Sequence, residues 1–166
     1  TSRGYPPSVI SLLPSLIERT GTSSKSGGTI TAIYTVLADG DDVTSDPVVD
    51  TARAILDGHI ILSRDLAQQG IYPAIDVNQS VSRLMTDIVS EEQTKNAQIL
   101  RKYISKYYEN RDLILMGGYV QGQDADLDIA MQLWPSIVNF LKQDDGELAS
   151  FSEASDALKN LIGGNK

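Results

Sequence analysis

The apolar residues in the first half of the chain fall into two patterns, helical spacing and short continuous runs. The first pattern predicts a helix that ends at Gly21, and it links Val9, Leu12, Leu13, Leu16 and Ile17. Residues 29–37 are apolar and β-branched almost without interruption, which predicts a strand buried on both faces of a parallel sheet. Asp46 and Pro47 predict the start of a second helix, and residues 58–62 form a short predicted strand. This alternation of strands and helices predicts an α/β fold.

After Arg83 the apolar positions keep helical spacing to the end of the chain. Ser90, followed by two glutamates, predicts a helix that runs to about Asn110. A capping box of Ser150 and Glu153 predicts the start of the last helix. Between these two, shorter helices are predicted at 111–116, 127–134 and 136–142, the last two separated by a proline. The second half is therefore predicted to be all helical, with a domain boundary near residues 86–90.

Composition narrows the class of protein. The chain has 166 residues, of which 41% are hydrophobic and 22% charged, which is typical of a globular protein. A net charge of −8 argues against a general nucleic-acid binder, because such proteins need a basic face. No apolar run approaches the length of a membrane span, and the absence of cysteine excludes disulfides and thiolate metal sites. Because the chain opens on Thr1 rather than methionine, we expect a fragment that starts in mid-domain.

Tyr72 and Arg83, eleven positions apart, are the candidate site residues. A tyrosine fixed by the following proline can offer its ring as a stacking platform for a base. An arginine has the planar donor fork that binds phosphates, and this one follows what we interpret as a serine-rich turn at residues 80–82. From the residues alone, the favoured interpretations are a packed tyrosine and a structural salt bridge of Arg83 with Asp76 or Asp87.

The acidic loop at residues 38–46 has no basic residue. Its carboxylates belong to Asp39, Asp41, Asp42 and Asp46. Asp46 is best explained as a helix cap, and the others as a solvated loop or as a surface that steers a basic partner. Their spacing matches no calcium or magnesium site, and the single histidine, His59, is predicted to be a core residue rather than a ligand. No metal site is predicted.

Six blocks of sequence, taken together and in order, resemble one protein family. The blocks are residues 4–9, 28–37, 40–42, 55–64, Tyr72-Pro73-Ala74-Ile75-Asp76 and Ser80-Val81-Ser82-Arg83. The chain resembles, over residues 3–143, the flagellar and type III secretion export ATPases, which are relatives of the catalytic head subunits of rotary ATP synthases. Residues 110–113, 117–119 and 133–135 are more similar to the flagellar branch than to the injectisome branch.

This resemblance implies a fold and roles for particular residues. The fold would be the C-terminal half of a RecA-like P-loop NTPase core, residues 1–88, followed by an all-helical C-terminal domain, residues 89–166. Tyr72 would stack on the adenine of ATP. Arg83 would be an arginine finger that reaches the γ-phosphate of ATP bound by the neighbouring subunit of a homohexamer. Asp41 and Asp42 would face a coiled-coil stalk protein, and residues 119–128 would form an elbow that couples nucleotide state to the stalk or to export partners.

The resemblance also implies parts that this sequence does not contain. Members of the family carry the phosphate-binding loop G-x-x-x-x-G-K-[ST] upstream, and no such string occurs among the 166 residues. The glycine-rich residues 26–29 precede a predicted strand rather than a helix N-terminus, so they are not a substitute. We therefore expect ATP and Mg²⁺ to be bound mostly by residues outside this chain, and the chain alone to be inactive.

The function implied for the intact protein is Mg-ATP hydrolysis by a homohexameric ring that energises flagellar type III protein export. The ring would lie in the cytoplasm at the face of the secretion apparatus, without a membrane span, and would engage export-gate and chaperone proteins. Three alternatives stay open: an injectisome ATPase, a rotary ATP synthase head subunit, and an inactive truncated fragment that acts only in binding.

Overall fold

The computed structural model describes residues 6–25, 27–37 and 46–164, which contain both helices and strands. The strands are β1 (Gly21–Thr22), β2 (Thr29–Ile30), β3 (Gly58–Leu62) and β4 (Ile75–Ser82). The helices are α1 (Pro7–Ile17), α2 (Pro47–Ile55), α3 (Arg64–Gln68), α4 (Met85–Ile88), α5 (Glu91–Glu109), α6 (Arg111–Leu115), α7 (Ala125–Leu141) and α8 (Phe151–Gly163). The acidic residues Asp41 and Asp42 lie outside the described residues.

The chain divides into two compact units, residues 1–59 and residues 60–166. In the first unit α1 packs on α2, and the buried hydrophobic side chains among its described residues are those of Ile17, Val49 and Ala52. Asp46 caps α2, because its carboxylate accepts hydrogen bonds from the backbone N–H groups of Val48 and Val49 at 2.9 and 3.5 Å. The predicted cap is confirmed. The predicted domain boundary between residues 88 and 89 stays a prediction.

The predicted long strand at residues 29–37 is wrong. Only Thr29 and Ile30 are in a strand, which pairs antiparallel with β1, and Ile33 and Leu37 are each 93% exposed. A strand buried on both faces needs neighbouring strands along its length and covering elements on both sides. Among the described residues, β1 supplies a partner for two residues of this segment. The apolar side chains of residues 29–37 are therefore left exposed by the described part of the chain.

The core of the second unit is built by α5, α7 and α8. Its buried residues recur at helical spacing on α5 and α7, with one more on α8; they are Leu100, Ile104, Leu133, Ile137 and Leu158. The N-termini of α5 and α8 carry the caps that the sequence predicts. Ser90 accepts from the Gln93 N–H at the start of α5, and Ser150 and Glu153 form the reciprocal capping box at the start of α8. Both predicted caps are confirmed, and each bonds to the backbone N–H groups that begin its helix.

The predicted helix break at Pro135 is also wrong, because α7 runs without interruption through this residue. Proline inside a helix costs about 3 kcal/mol through a lost hydrogen bond and a steric clash. Pro135 is exposed, whereas its neighbours Leu133 and Ile137 are 7% and 0% exposed. Burial of two such side chains contributes about 1.5–3 kcal/mol each, which offsets the cost of the proline.

Strands β3 and β4 form a two-stranded sheet that leads to the candidate site residues. The N–H of Ser63 donates to the carbonyl of Ala74 at 2.8 Å, and the N–H of Ile61 donates to the Ser80 hydroxyl at 3.0 Å. Residues 80–82 are therefore part of strand β4, and the serine-rich turn predicted there is wrong. The Ser80 hydroxyl accepts this hydrogen bond from the neighbouring strand, and the backbone at Ser80 is extended.

Candidate functional site

Tyr72 projects from a short connection between α3 and β4. Gly70 adopts a positive φ of 69°, which suits glycine, and turns the chain at the end of α3. Ile71 is 6% exposed and its N–H donates to the carbonyl of Leu66 at 2.9 Å. Tyr72 itself is 58% exposed, and its bond to Pro73 is cis. Ile71 thus anchors the connection, and the ring of Tyr72 is left accessible as the stacking role requires.

A turn after α7 contacts the backbone of Tyr72. The N–H of Gln143 donates to the Tyr72 carbonyl at 2.9 Å. The turn is closed by further bonds, from the Gln143 side-chain amide to the Glu147 carbonyl and from the Asp144 N–H to the Glu147 carboxylate, at 2.9 and 3.1 Å. Sequence analysis missed this contact. The one available signal was the glycine at 146, whose positive φ of 87° is typical of a turn.

Arg83 directly follows β4 and has an exposed side chain. The carboxylate of Asp76, at the other end of the strand, accepts from the backbone N–H groups of Asn78 and Gln79 at 3.0 Å each and from the Gln79 side-chain amide at 2.8 Å. Asp76 therefore organises the first half of β4. Tyr72 and Arg83 are placed at opposite ends of this strand rather than side by side.

Helix α5 holds β4 at two points. A guanidinium nitrogen of Arg101 donates to the Ser80 carbonyl at 2.7 Å, and the side-chain amide of Asn78 donates to the Ser105 hydroxyl at 2.9 Å. Arg101 and Ser105 are one helical turn apart, so they lie on one face of α5. The strand that precedes Arg83 is thus attached to the helical core, a feature that sequence analysis missed.

A cavity of about 370 Å³ lies between the β3–β4 region and the helices of the second unit. Its wall includes Asp76, Tyr108, Arg111 and Trp134, but neither candidate site residue. The ring of Tyr107 stacks on Trp134 at 3.7 Å, and that of Tyr108 meets it edge-on at 5.2 Å. Burial raises the pKa of Tyr108, and the nearby Arg111 opposes this shift. Tyr107 and Tyr108 therefore pack against Trp134 in the helical region.

The predicted elbow at residues 119–128 is closed by hydrogen bonds. The hydroxyl of Tyr119 donates to the carboxylate of Asp128 at 2.8 Å, and the other carboxylate oxygen accepts from the Gly122 N–H at 2.8 Å. Lys106 of α5 forms an ion pair with Asp124 at 2.8 Å. This contact raises the pKa of Lys106 and lowers that of Asp124. The elbow therefore has a defined shape that is tied to α5.

The described residues show neither a metal site nor a membrane-spanning helix. Within residues 6–25, 27–37 and 46–164, no cluster of three histidine, aspartate or glutamate side chains is arranged to hold a metal ion. His59 is half-buried in β3. No helix in the described part of the chain combines the length and apolarity needed to cross a membrane.

Comparison with known proteins places these features in a family. The family model for the ATP synthase alpha/beta family, nucleotide-binding domain, matches residues 1–82, and the model for the T3SS EscN ATPase C-terminal domain matches residues 89–160. The chain is 48% identical over 157 residues to the flagellum-specific ATP synthase of Salmonella typhimurium, and this match covers 95% of the chain and 34% of the relative. The chain therefore spans about a third of the length of this relative.

Solved structures agree with the sequence relatives. The assembled ATPase EscN from the enteropathogenic E. coli type III secretion system superposes with a TM-score of 0.89 at 42% identity, covering 96% of this chain and 38% of that one. EscN in complex with its central stalk EscO gives a TM-score of 0.83 at 40% identity, covering 96% of this chain and 37% of that one. The predicted fold class, part of the nucleotide-binding domain followed by a helical C-terminal domain, is confirmed. The chain belongs to the ATP synthase alpha/beta family, among the flagellum-specific ATP synthases and type III secretion ATPases.

Proposed function

We propose that the full-length protein is a Mg-ATP-hydrolysing ATPase that energises flagellar type III protein export. The names of its relatives support this activity, and the assembled form of EscN supports a ring of identical subunits, which we take to be a hexamer. The ring would work in the cytoplasm at the face of the secretion apparatus, with export-gate and chaperone proteins as partners. The chain would contribute residues 1–88 to the nucleotide-binding domain and residues 89–166 to the helical domain.

The observation that carries the proposal is the placement of Tyr72 and Arg83 at opposite ends of β4, both with exposed side chains. In a head-to-tail ring each subunit presents two different surfaces, one to each neighbour. A residue at one end of the strand can therefore serve the nucleotide of its own subunit, while a residue at the other end serves the nucleotide of the neighbour.

Tyr72 fits the adenine end of ATP. More than half of the residue's surface is accessible, and the connection beneath the ring is anchored by Ile71 and by the N–H of Gln143. Stacking of a base on such a ring is sequence-tolerant and contributes about 1–3 kcal/mol. Tyr72 would thus bind and orient the base.

Arg83 fits the phosphate end of a neighbouring nucleotide. A planar, permanently charged guanidinium is the group best suited to stabilise the charge that develops on a transferred phosphoryl group. The side chain follows a strand that is held by α5, so its backbone origin is fixed. This arrangement supports the role of an arginine finger.

The described residues of this chain do not fit Mg²⁺ or the remaining phosphate contacts. The phosphate-binding string is absent from the 166 residues, and the part of the chain that the structure describes has no cluster of metal-binding side chains. Asp41 and Asp42 are proposed to face a coiled-coil stalk, by analogy with the central stalk that EscN binds. Residues outside this chain would bind the phosphates and the metal ion, so the chain alone is inactive.

The proposal is tested in the full-length protein by replacing Arg83 with alanine. ATP hydrolysis is expected to fall by about 10³- to 10⁵-fold, as for other arginine fingers. Binding of ATP, followed by titration calorimetry, is expected to stay near that of the wild type. Lys95→Ala is the matched control, since it also removes one positive charge, from a side chain that is 71% exposed on α5. Normal turnover in Arg83→Ala would refute the finger role.

A second candidate function is that of an injectisome ATPase, which is favoured by the structural likeness to EscN. The chemistry would be the same and the exported substrates would differ. Complementation of a flagellar strain that lacks its own ATPase separates the two: restored motility supports the flagellar function, and complementation of an injectisome strain alone supports the other.

A further inference from the structure

Ser80 is hydrogen-bonded on three sides in the strand that precedes Arg83. Its hydroxyl donates to the Asp76 carbonyl at 2.6 Å and accepts from the Ile61 N–H at 3.0 Å. Its carbonyl accepts from the guanidinium of Arg101 at 2.7 Å. Ser80 lies three residues before Arg83, so a displacement of its backbone changes the origin of the Arg83 side chain directly.

Arg101 is half-buried on α5 and supplies the charged donor among these bonds. A hydrogen bond from a charged donor is shorter and roughly twice as strong as one between neutral groups. Arg101 forms no ion pair with any described residue, so its charge is directed to a backbone carbonyl instead of a carboxylate. A salt bridge between two side chains would not constrain the strand in this way.

Two side-chain contacts attach β4 to α5 in addition to its pairing with β3. The contacts of Arg101 with Ser80 and of Ser105 with Asn78 attach β4 to a helix whose other residues, Leu100 and Ile104, are buried in the core. The helical core thereby determines where the strand ends.

We propose that Arg101 is a positioning residue for Arg83, holding the end of β4 so that the Arg83 guanidinium reaches the nucleotide of the neighbouring subunit. This inference rests on the proposed function of Arg83. It assigns to the helical part of the chain a direct role in the geometry of the catalytic interface. Arg101 does not touch the nucleotide in this proposal and acts through the Ser80 carbonyl.

The test is kinetic and uses the full-length ATPase. Arg101→Met keeps most of the aliphatic stem but removes the donor, and it is expected to lower kcat by about 10- to 100-fold, the loss that follows from a misplacement of about 1 Å. The KM for ATP is expected to stay within about twofold, because Arg101 is not placed at the adenine or phosphate contacts of its own nucleotide. Arg101→Lys, which restores a charged donor without the planar fork, is expected to recover part of kcat.

Lys102→Met is the matched control on the next residue. Lys102 forms an ion pair with Asp126 at 2.7 Å, and its side chain is 56% exposed on α5. Its loss is expected to leave kcat within about twofold, since exposed ion pairs contribute little. If Lys102→Met lowers kcat as much as Arg101→Met does, a general disturbance of α5 explains the result, and the inference is overturned.

A double variant separates positioning from a general structural role. In the Arg83→Ala background, Arg101→Met is expected to lower kcat no further, because the group that it positions is already gone. Independent, multiplicative losses would overturn the inference. If Arg101→Met does not fold or assemble, the same comparison is made with Arg101→Lys. In the Arg83→Ala background, Arg101→Lys is likewise expected to lower kcat no further.

The outcomes distinguish this inference from the proposed function. Normal hydrolysis by Arg83→Ala overturns the finger role and, with it, the role of Arg101. Loss of hydrolysis in Arg83→Ala together with wild-type kcat in Arg101→Met overturns the positioning role alone. The positioning role is supported if Arg83→Ala and Arg101→Met both lose hydrolysis, if Arg101→Lys recovers part of kcat, and if the double variant is no slower than Arg83→Ala.

Discussion

Removal of the Tyr72 ring is the cleanest perturbation of the proposed adenine contact. The backbone at this position is held by bonds that do not use the ring: the Ile71 N–H to the Leu66 carbonyl and the Gln143 N–H to the Tyr72 carbonyl, each 2.9 Å. Tyr72 is 58% exposed, so its truncation leaves no buried cavity. We expect Tyr72→Ala to change the free energy of unfolding by less than about 0.5 kcal/mol, as is usual for surface substitutions.

The effect on nucleotide binding is expected to be much larger. Base–aromatic stacking contributes about 1–3 kcal/mol per base. Since about 1.4 kcal/mol corresponds to a tenfold change in Kd, Tyr72→Ala is expected to weaken binding by about 5- to 150-fold. The adenine is remote from the reacting phosphate, so the stacking energy is nearly equal in the ground state and the transition state. KM is therefore expected to rise while kcat changes little.

The assay is titration calorimetry of ADP into the full-length protein, with thermal unfolding as a check on the fold. Tyr72→Phe is the matched control, because it keeps the stacking face and removes the hydroxyl, and it is expected to bind like the wild type. Unchanged affinity in Tyr72→Ala, with an intact fold, would show that the exposed ring does not contact the base. A loss of the same size in Tyr72→Phe would assign the effect to the hydroxyl instead of the face.

Two further predictions concern the stability of the second unit. Ile137 is 0% exposed, so Ile137→Ala leaves a cavity and is expected to lower the free energy of unfolding by about 2–5 kcal/mol in urea titrations. The control is Ile88→Ala, at a residue that is 74% exposed, and it is expected to change the free energy of unfolding by less than about 0.5 kcal/mol. Equal effects would refute the assigned core. Because Lys106 holds the pKa of Asp124 below its ordinary value of 3.8, Asp124 stabilises the fold above that pH and ceases to do so as the pH falls through the lowered pKa. The stability difference between wild type and Asp124→Asn, measured by urea unfolding, is therefore expected to shrink below pH 3.8, and a difference that stays constant from neutral pH to pH 2 would contradict this.

Features that depend on neighbours along the chain were predictable from the sequence. The caps at Asp46, Ser90 and Ser150 are confirmed, because a capping side chain bonds to backbone N–H groups two or three residues away. Leu100 and Ile104, which are one helical turn apart, are the buried residues of α5. These features depend on contacts within one helical turn and not on the rest of the fold.

Features that depend on distant partners were not predictable. Residues 29–37 have a strand composition, but strand formation requires pairing partners that composition does not reveal. Pro135 has the chemistry of a helix breaker, yet burial of Leu133 and Ile137 overrides it. At the site, the types of Tyr72 and Arg83 indicate candidate chemistry, but the contact of Arg101 with Ser80 joins residues 21 positions apart and has no sequence signature.

The proposed trans action of Arg83 is the central claim, and a mixed-ring experiment tests it most directly. One full-length variant carries Arg83→Ala, and a second carries an inactivating substitution in the phosphate-binding loop; each is expected to be inactive alone. In rings assembled from equal amounts, about a quarter of the head-to-tail interfaces join an intact phosphate site to an intact finger from the neighbour. If Arg83 acts in trans, the mixture regains ATP hydrolysis at up to about that fraction of the wild-type rate. A mixture that assembles into rings and stays as inactive as its components would contradict it.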